Sequence, residues 1–185
     1  MDYSFKAEPF LCVAATLQKV IFDLTNSYFE QNVIADYFGV NFPTDYEIIN
    51  VTNYKITEDS SKWGIVLAKE SINGLFAALR IPLKEQYYPI NTYDEYSFND
   101  FIRTSLNDET RIICGFSLST LYNLSDLNEN IGHVSIIDSI NFDASKIVIT
   151  DLNPENFGQR VVDAFDLFRA VLKKKDGFWV ISKVT

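Results

Sequence analysis

Three residues of this chain have types and positions suited to thiol acyl-transfer chemistry: Cys12, His133 and Asp151. Cys12 opens a stretch, Cys12 to Ser27, in which Val13, Leu17, Val20, Ile21 and Leu24 recur at helical spacing. It therefore belongs in the first turn of a helix. The positive end of the helix dipole favours a thiolate there, and the free N–H groups of that turn can bind an oxyanion. On position alone, a small buried hydrophobe between Leu11 and Val13 is the stronger reading. His133, the single histidine, shifts that balance. It follows Gly132 and begins the apolar run Val134-Ser135-Ile136-Ile137, so a strand can hold its backbone while its ring faces a cleft. Asp151 closes the next run, Ile149-Thr150-Asp151, ahead of Leu152-Asn153-Pro154. If the two runs pair as an antiparallel hairpin, the start of one lies beside the end of the other, and Asp151 meets His133. The carboxylate then holds one ring nitrogen and leaves the other for Cys12. Asn153 is a second candidate for the orienting role. A plain turn explains Asp151 and Asn153 as well, but the order of all three positions favours chemistry. The other thiol, Cys114, sits inside an apolar run and is expected to be buried and inert.

The elements that must position these residues are readable in outline. A second helix is expected over Phe29 to Phe38, ended by Gly39. Asn- and Asp-rich loops follow around Pro43 to Ser61. Lys62 to Leu79 has helical spacing despite Gly64 and Gly74, Ile81 to Tyr88 resembles a strand, and Ser97 to Leu106 a short helix. The period then changes. Arg111 to Ser117, His133 to Ser139 and Lys146 to Thr150 read as strands, the last two joined by the turn residues Asn141-Phe142-Asp143. A helix over Ala164 to Leu172 and a strand over Gly177 to Lys183 complete the chain. Helices first and an antiparallel sheet second predict an α+β fold.

The 185 residues suit a single domain over 1–185, and 47% hydrophobic with 22% charged residues suits a soluble globular one. A net charge of −9 argues against nucleic acid and against an anionic membrane surface, and is compatible with a cationic amine substrate. Two cysteines without a visible signal peptide read as thiols in a cytoplasmic setting. One histidine and no Cys-x-x-Cys pair leave no structural zinc site, and no cofactor is expected. The tyrosines clustered in mid-chain suit either a cleft lining or the core.

Cys12-Val-Ala-Ala-Thr-Leu, Gly132-His133-Val134-Ser135-Ile136-Ile137, Ile149-Thr150-Asp151-Leu152-Asn153-Pro154 and Gly177-Phe178-Trp179-Val180-Ile181 together resemble the C39-peptidase-like branch of the papain-like superfamily. The resemblance covers nearly the whole chain. It implies a papain-like fold with N-terminal helices packed on a C-terminal antiparallel sheet, and Cys12, His133 and Asp151 as nucleophile, base and orienting group. That branch usually carries a Gln a few residues before the Cys as an oxyanion donor. Here Lys6-Ala7-Glu8-Pro9-Phe10-Leu11 has none, leaving backbone N–H groups or a recruited Gln18 or Asn32. A missing donor costs on the order of 3 kcal/mol where it is needed, which matters less for a reactive thioester. With no transporter attached, the chain is more similar to the biosynthetic members, butirosin-type acyltransferases and closthioamide-type amide synthetases. This implies a carrier-protein thioester as donor and a small amine or diamine as acceptor. An acidic carrier would need a local basic patch, and Lys173-Lys174-Lys175 reads either as that patch or, as such runs more often do, as a solvated face or a charge match to a helix C-terminus. A cysteine peptidase or amidohydrolase of C39-like type is the alternative. A catalytically silent binding scaffold would not need all three site residues.

Overall fold

In the computed structural model, residues 5–48, 50–68, 71–124, 131–141, 143, 145–155 and 157–184 are described. The chain enters α1 (Cys12–Thr25), which buries Val13, Leu17, Val20, Ile21 and Leu24 as their spacing requires. It ends where Asn26 turns left-handed at φ 58° and returns its N–H to Phe22 O. α2 (Gln31–Phe38) stops at Gly39, φ 79°. Two three-residue strands, β1 (Val40–Phe42), just before the expected loops, and β2 (Tyr54–Ile56), within them, then pair in parallel. They are too short, and β2 too exposed, to leave an alternating pattern.

The helix expected over Lys62 to Leu79 is mostly absent. Ser60–Lys62 is one turn of 3-10 helix, and α3 covers only Ser71–Ala78. Gly64 adopts φ +86° and exchanges backbone hydrogen bonds of 2.8 and 3.0 Å with Asn41, an extended pairing that a helix excludes. Trp63, Val66 and Leu67 stand at helical spacing, yet Val66 is exposed while Ile65 and Leu67 on either side pack into the α1 core, the alternation of an extended segment. From the described part of the interval, α3 begins with help from outside: the Glu85 carboxylate accepts the Asn73 N–H at 2.9 Å.

The remaining strands form one sheet. They are β3 (Leu83–Pro89), β4 (Thr110–Ser117), β5 (Gly132–Asn141), β6 (Lys146–Asp151), β7 (Gly158–Asp163) and β8 (Gly177–Lys183). All are antiparallel to their neighbours, in the order β3-β8-β4-β5-β6-β7. β5 and β6 make the expected hairpin; Phe142 of its turn lies outside the described residues. β7 was not expected, since polar Gln159 and Arg160 obscure its alternation at the sheet edge.

Alternation along the strands divides the interior. Ile113, Val134, Ile136, Trp179 and Ile181 face α1, α2 and α3. Ile112, Cys114, Phe116, Ile137, Ile149 and Phe178 face a second helical layer. That layer comprises α4 (Glu95–Ser105), α5 (Leu118–Tyr122) and α6 (Ala164–Lys174). Thus the N-terminal helices pack on an antiparallel sheet as expected, and helices threaded between the strands cover the other face. Phe178 is central to the second core, with ring centroids 5.4 Å from Phe98 and 5.5 Å from Phe101. Phe178→Ala is expected to cost about 3–5 kcal/mol in denaturant unfolding. A loss below about 1 kcal/mol would show that this layer can collapse around the gap.

Candidate active site

Cys12 is the first residue of α1, as its spacing predicts. The preceding Leu11 provides no side-chain cap, so the first-turn N–H groups are left to whatever occupies the cleft. Phe10 sits left-handed at φ 67°. Its ring packs edge-on against Phe42, Tyr46 and Trp63 at 5.7, 4.9 and 5.9 Å, which ties the approach to Cys12 to the Trp63–Leu67 segment. Cys12 and His133 line one cleft.

The pairing of Ile137 with Ile149 positions the other two residues. His133 and Asp151 lie at even offsets from that pair, so the pleat projects both onto the same face. His133 Nε2 donates to Asp151 Oδ1 at 2.8 Å, with both side chains almost wholly buried. Asp151 Oδ1 also accepts the Asn153 N–H at 2.9 Å. The Phe116 ring stands edge-on to the imidazole, 5.5 Å away at 82°. Burial opposes a charged ring here. Hydrogen bonds to the Asp151 carboxylate and the Cys12 sulfur, with their charges, outweigh it and raise the His133 pKa well above its ordinary value. With Nε2 committed to Asp151, Nδ1 is the ring nitrogen left for Cys12.

Asn153 acts on Asp151 through its backbone only. Its side chain accepts the Glu155 N–H at 3.1 Å, a turn of the kind the sequence also suggested. Gln18 and Asn32 do not line the Cys12 cleft. The Gln18 amide donates to Phe29 O at 2.7 Å and its carbonyl accepts from Gln31, while Asn32 Oδ1 accepts the Val33 N–H. Both are structural clamps. Neither can serve as the donor that an upstream Gln would provide. Cys114 is fully buried, 3.7 Å from Ser135 O, and burial together with the Asp176 charge drives its thiol pKa far upward.

The rest of the cleft comes from residues that sequence reasoning did not assign to it. Trp63, Ile65, Leu67 and Trp179 supply apolar walls, and Ser61, Lys174 and Asp176 polar groups. Of the mid-chain tyrosines, Tyr87, Tyr88 and Tyr93 pack against the cores, Tyr87 on Trp179 at 5.2 Å and Tyr88 and Tyr93 on Phe101 at 4.9 Å, whereas Tyr96 is exposed. Of the lysine run, Lys174 enters the cleft. It crosses Gly132 closely: a Cβ there would lie 2.7 Å from its Cε, a contact that the flexible end of the lysine can relieve. The Tyr122 hydroxyl lies against the Asp151 carboxylate, and burial plus that charge push its pKa up to about 12. Among the described residues, no group of three or more His, Cys, Asp or Glu could hold a metal ion, and no helix is long and apolar enough to cross a membrane.

No family model matches the chain, and no curated protein matches it. Among solved structures it is similar to that of a candidate C39-like peptidase from Bacillus anthracis. The TM-score is 0.59 over 95% of this chain and 90% of that one, at 11% identity. The likeness shows the fold, an α+β papain-like fold of the C39-like kind.

Proposed function

We propose that this chain is a cysteine-dependent acyltransferase that forms amides. The reading rests chiefly on one observation: Cys12 shares a cleft with a buried His133 whose far nitrogen is held by Asp151. In the first half-reaction the Cys12 thiolate attacks the carbonyl of a thioester, such as one borne by a carrier protein. The oxyanion forms at the start of α1, and the donor thiol leaves with the proton carried by His133. In the second, an amine attacks the acyl-cysteine, His133 accepts its proton, the amide departs and Cys12 is regenerated. Asp151 keeps the ring oriented throughout. The apolar walls formed by Trp63, Ile65 and Trp179 suit an acyl chain and help to exclude water. A net charge of −9 favours a cationic acceptor over an anionic one.

The same three residues can pass the acyl group to water. The structural likeness to a candidate C39-like peptidase favours that second reading, a cysteine peptidase or amidohydrolase. Absence of an upstream Gln favours the first, because a thioester needs less oxyanion stabilisation than an amide. The deciding measurement uses the acyl-enzyme. After reaction with an acyl thioester, intact mass should show the acyl group on Cys12. Once excess donor is removed, it should persist in buffer and discharge at least about ten-fold faster with a small amine. Equal decay in both, or efficient cleavage of unactivated peptides, would replace transfer with hydrolysis.

A further inference from the structure

We propose that Tyr122 is a positioning residue for the reacting set: its hydroxyl donates to Oδ2 of Asp151 and fixes the carboxylate that orients His133. This rests on reading Cys12, His133 and Asp151 as that set. Asp151 Oδ1 accepts from His133 Nε2 at 2.8 Å and from the Asn153 N–H at 2.9 Å. Oδ2 is buried and, among the described residues, has no hydrogen-bond partner. The Tyr122 hydroxyl lies against this carboxylate, and it too is buried without a partner of hydrogen-bond geometry. A donor and an acceptor withdrawn from water side by side satisfy each other when they join, whereas apart each bears its own desolvation cost. With both of those bonds on one oxygen, the carboxylate is free to pivot about Oδ1. A bond at Oδ2 removes that freedom.

The fold brings the phenol to this point. At the end of β4, Phe116 pairs with His133 and Ser117 with Gly132. α5 begins at the next residue, with the Ser117 hydroxyl accepting the Thr120 N–H and the Leu118 N–H bonded to Ile131 O at 3.3 Å. Tyr122 ends α5 one turn later and is thereby tied to the strand ends that carry His133. The Arg160 guanidinium stands 5.6 Å from the Tyr122 ring centroid. Arg160 pairs with Ile149, two residues before Asp151 on β6, so its side chain and that of Asp151 share one face of the sheet. Burial and the Asp151 charge keep the phenol protonated, so toward a carboxylate it acts as a donor. Packing does not account for the hydroxyl. A phenylalanine would fill the same place and leave no buried oxygen to satisfy.

The test needs no acyl donor. His133 is the single histidine, so ¹⁵N-imidazole labelling reports that ring alone, and iodoacetamide reports Cys12 beside a buried Cys114. Tyr122→Phe keeps the ring that Arg160 stands over and removes only the oxygen. It should shift the His133 ring resonances and slow Cys12 alkylation about ten-fold, because a ring whose carboxylate pivots faces the sulfur less of the time. Cys114→Ala perturbs the same core without touching the hydroxyl and should leave both readouts at the parent values. Asp151→Asn tests the contact from its other end, whether or not Tyr122→Phe folds. In a ¹³C-tyrosine-labelled chain it should move one phenol resonance, since an amide oxygen is a weaker acceptor than a carboxylate. Unmoved ring resonances in Tyr122→Phe, or an alkylation rate within about two-fold of the parent, would overturn the assignment. So would an equal change in Cys114→Ala, or tyrosine resonances that ignore Asp151→Asn. A chain that never forms an acyl-enzyme, or that passes it to water, would refute the proposed function and leave these results standing.

Discussion

Cys12→Ala should abolish acyl-enzyme formation and lower turnover roughly 10⁴–10⁶-fold, as expected when the nucleophile of a cooperating set is removed. The fold should survive. Cys12 is half-buried at the cleft and its neighbours Val13, Ala14 and Leu17 anchor α1 without it, so the stability cost should be about 1 kcal/mol or less. Cys114→Ala makes the opposite pattern. That thiol is fully buried on the far face of the sheet and held toward its neutral form. Its removal should leave turnover near the parent value and cost about 1–2 kcal/mol in unfolding. The pair of variants is assayed by intact mass after acyl-thioester treatment, beside denaturant melts. An acyl group that still attaches in Cys12→Ala and vanishes in Cys114→Ala would reverse the assignment.

His133 and Asp151 should behave as one unit. His133→Ala and Asp151→Asn are each expected to lose roughly 10²–10⁴ in kcat/KM, and the double variant little more than the worse single one. Their effects on stability should couple in the opposite sense. His133→Ala leaves the Asp151 carboxylate with no exposed surface and without its imidazole partner, a loss of about 3–5 kcal/mol. Asp151→Asn removes that stranded charge, so the double variant should be more stable than His133→Ala alone. Additive losses of activity would mean that the two residues perform separate tasks. A double variant less stable than both singles would mean that the 2.8 Å contact is not what holds the pair.

Much of this site was legible because it depends on local rules. Helical spacing alone placed Cys12 at the start of α1, and two apolar runs with a turn between them implied the β5–β6 hairpin. Side-chain alternation in that hairpin was then enough to bring Asp151 to His133. Cys114 was recognisable as a core residue from the run around it.

What only the tertiary structure decided is the cleft around those residues. Trp63 on one hand and Lys174 with Asp176 on the other are far along the chain from Cys12 and from each other, and no spacing rule links the α6–β8 turn to the first turn of α1. Gly64 fell within an apolar pattern that also fits a helix; its pairing with Asn41, a long-range backbone contact, removed that possibility. Gln18 and Asn32 were plausible oxyanion donors by composition, and hydrogen bonds to neighbouring segments committed both elsewhere. The sequence by itself determined where Cys12, His133 and Asp151 stand on their helix and strands, since periodicity and turn chemistry act over a few residues. The packing of distant elements decided what the cleft can hold, because shape, charge and solvent exclusion there are properties of contacts and not of spacing.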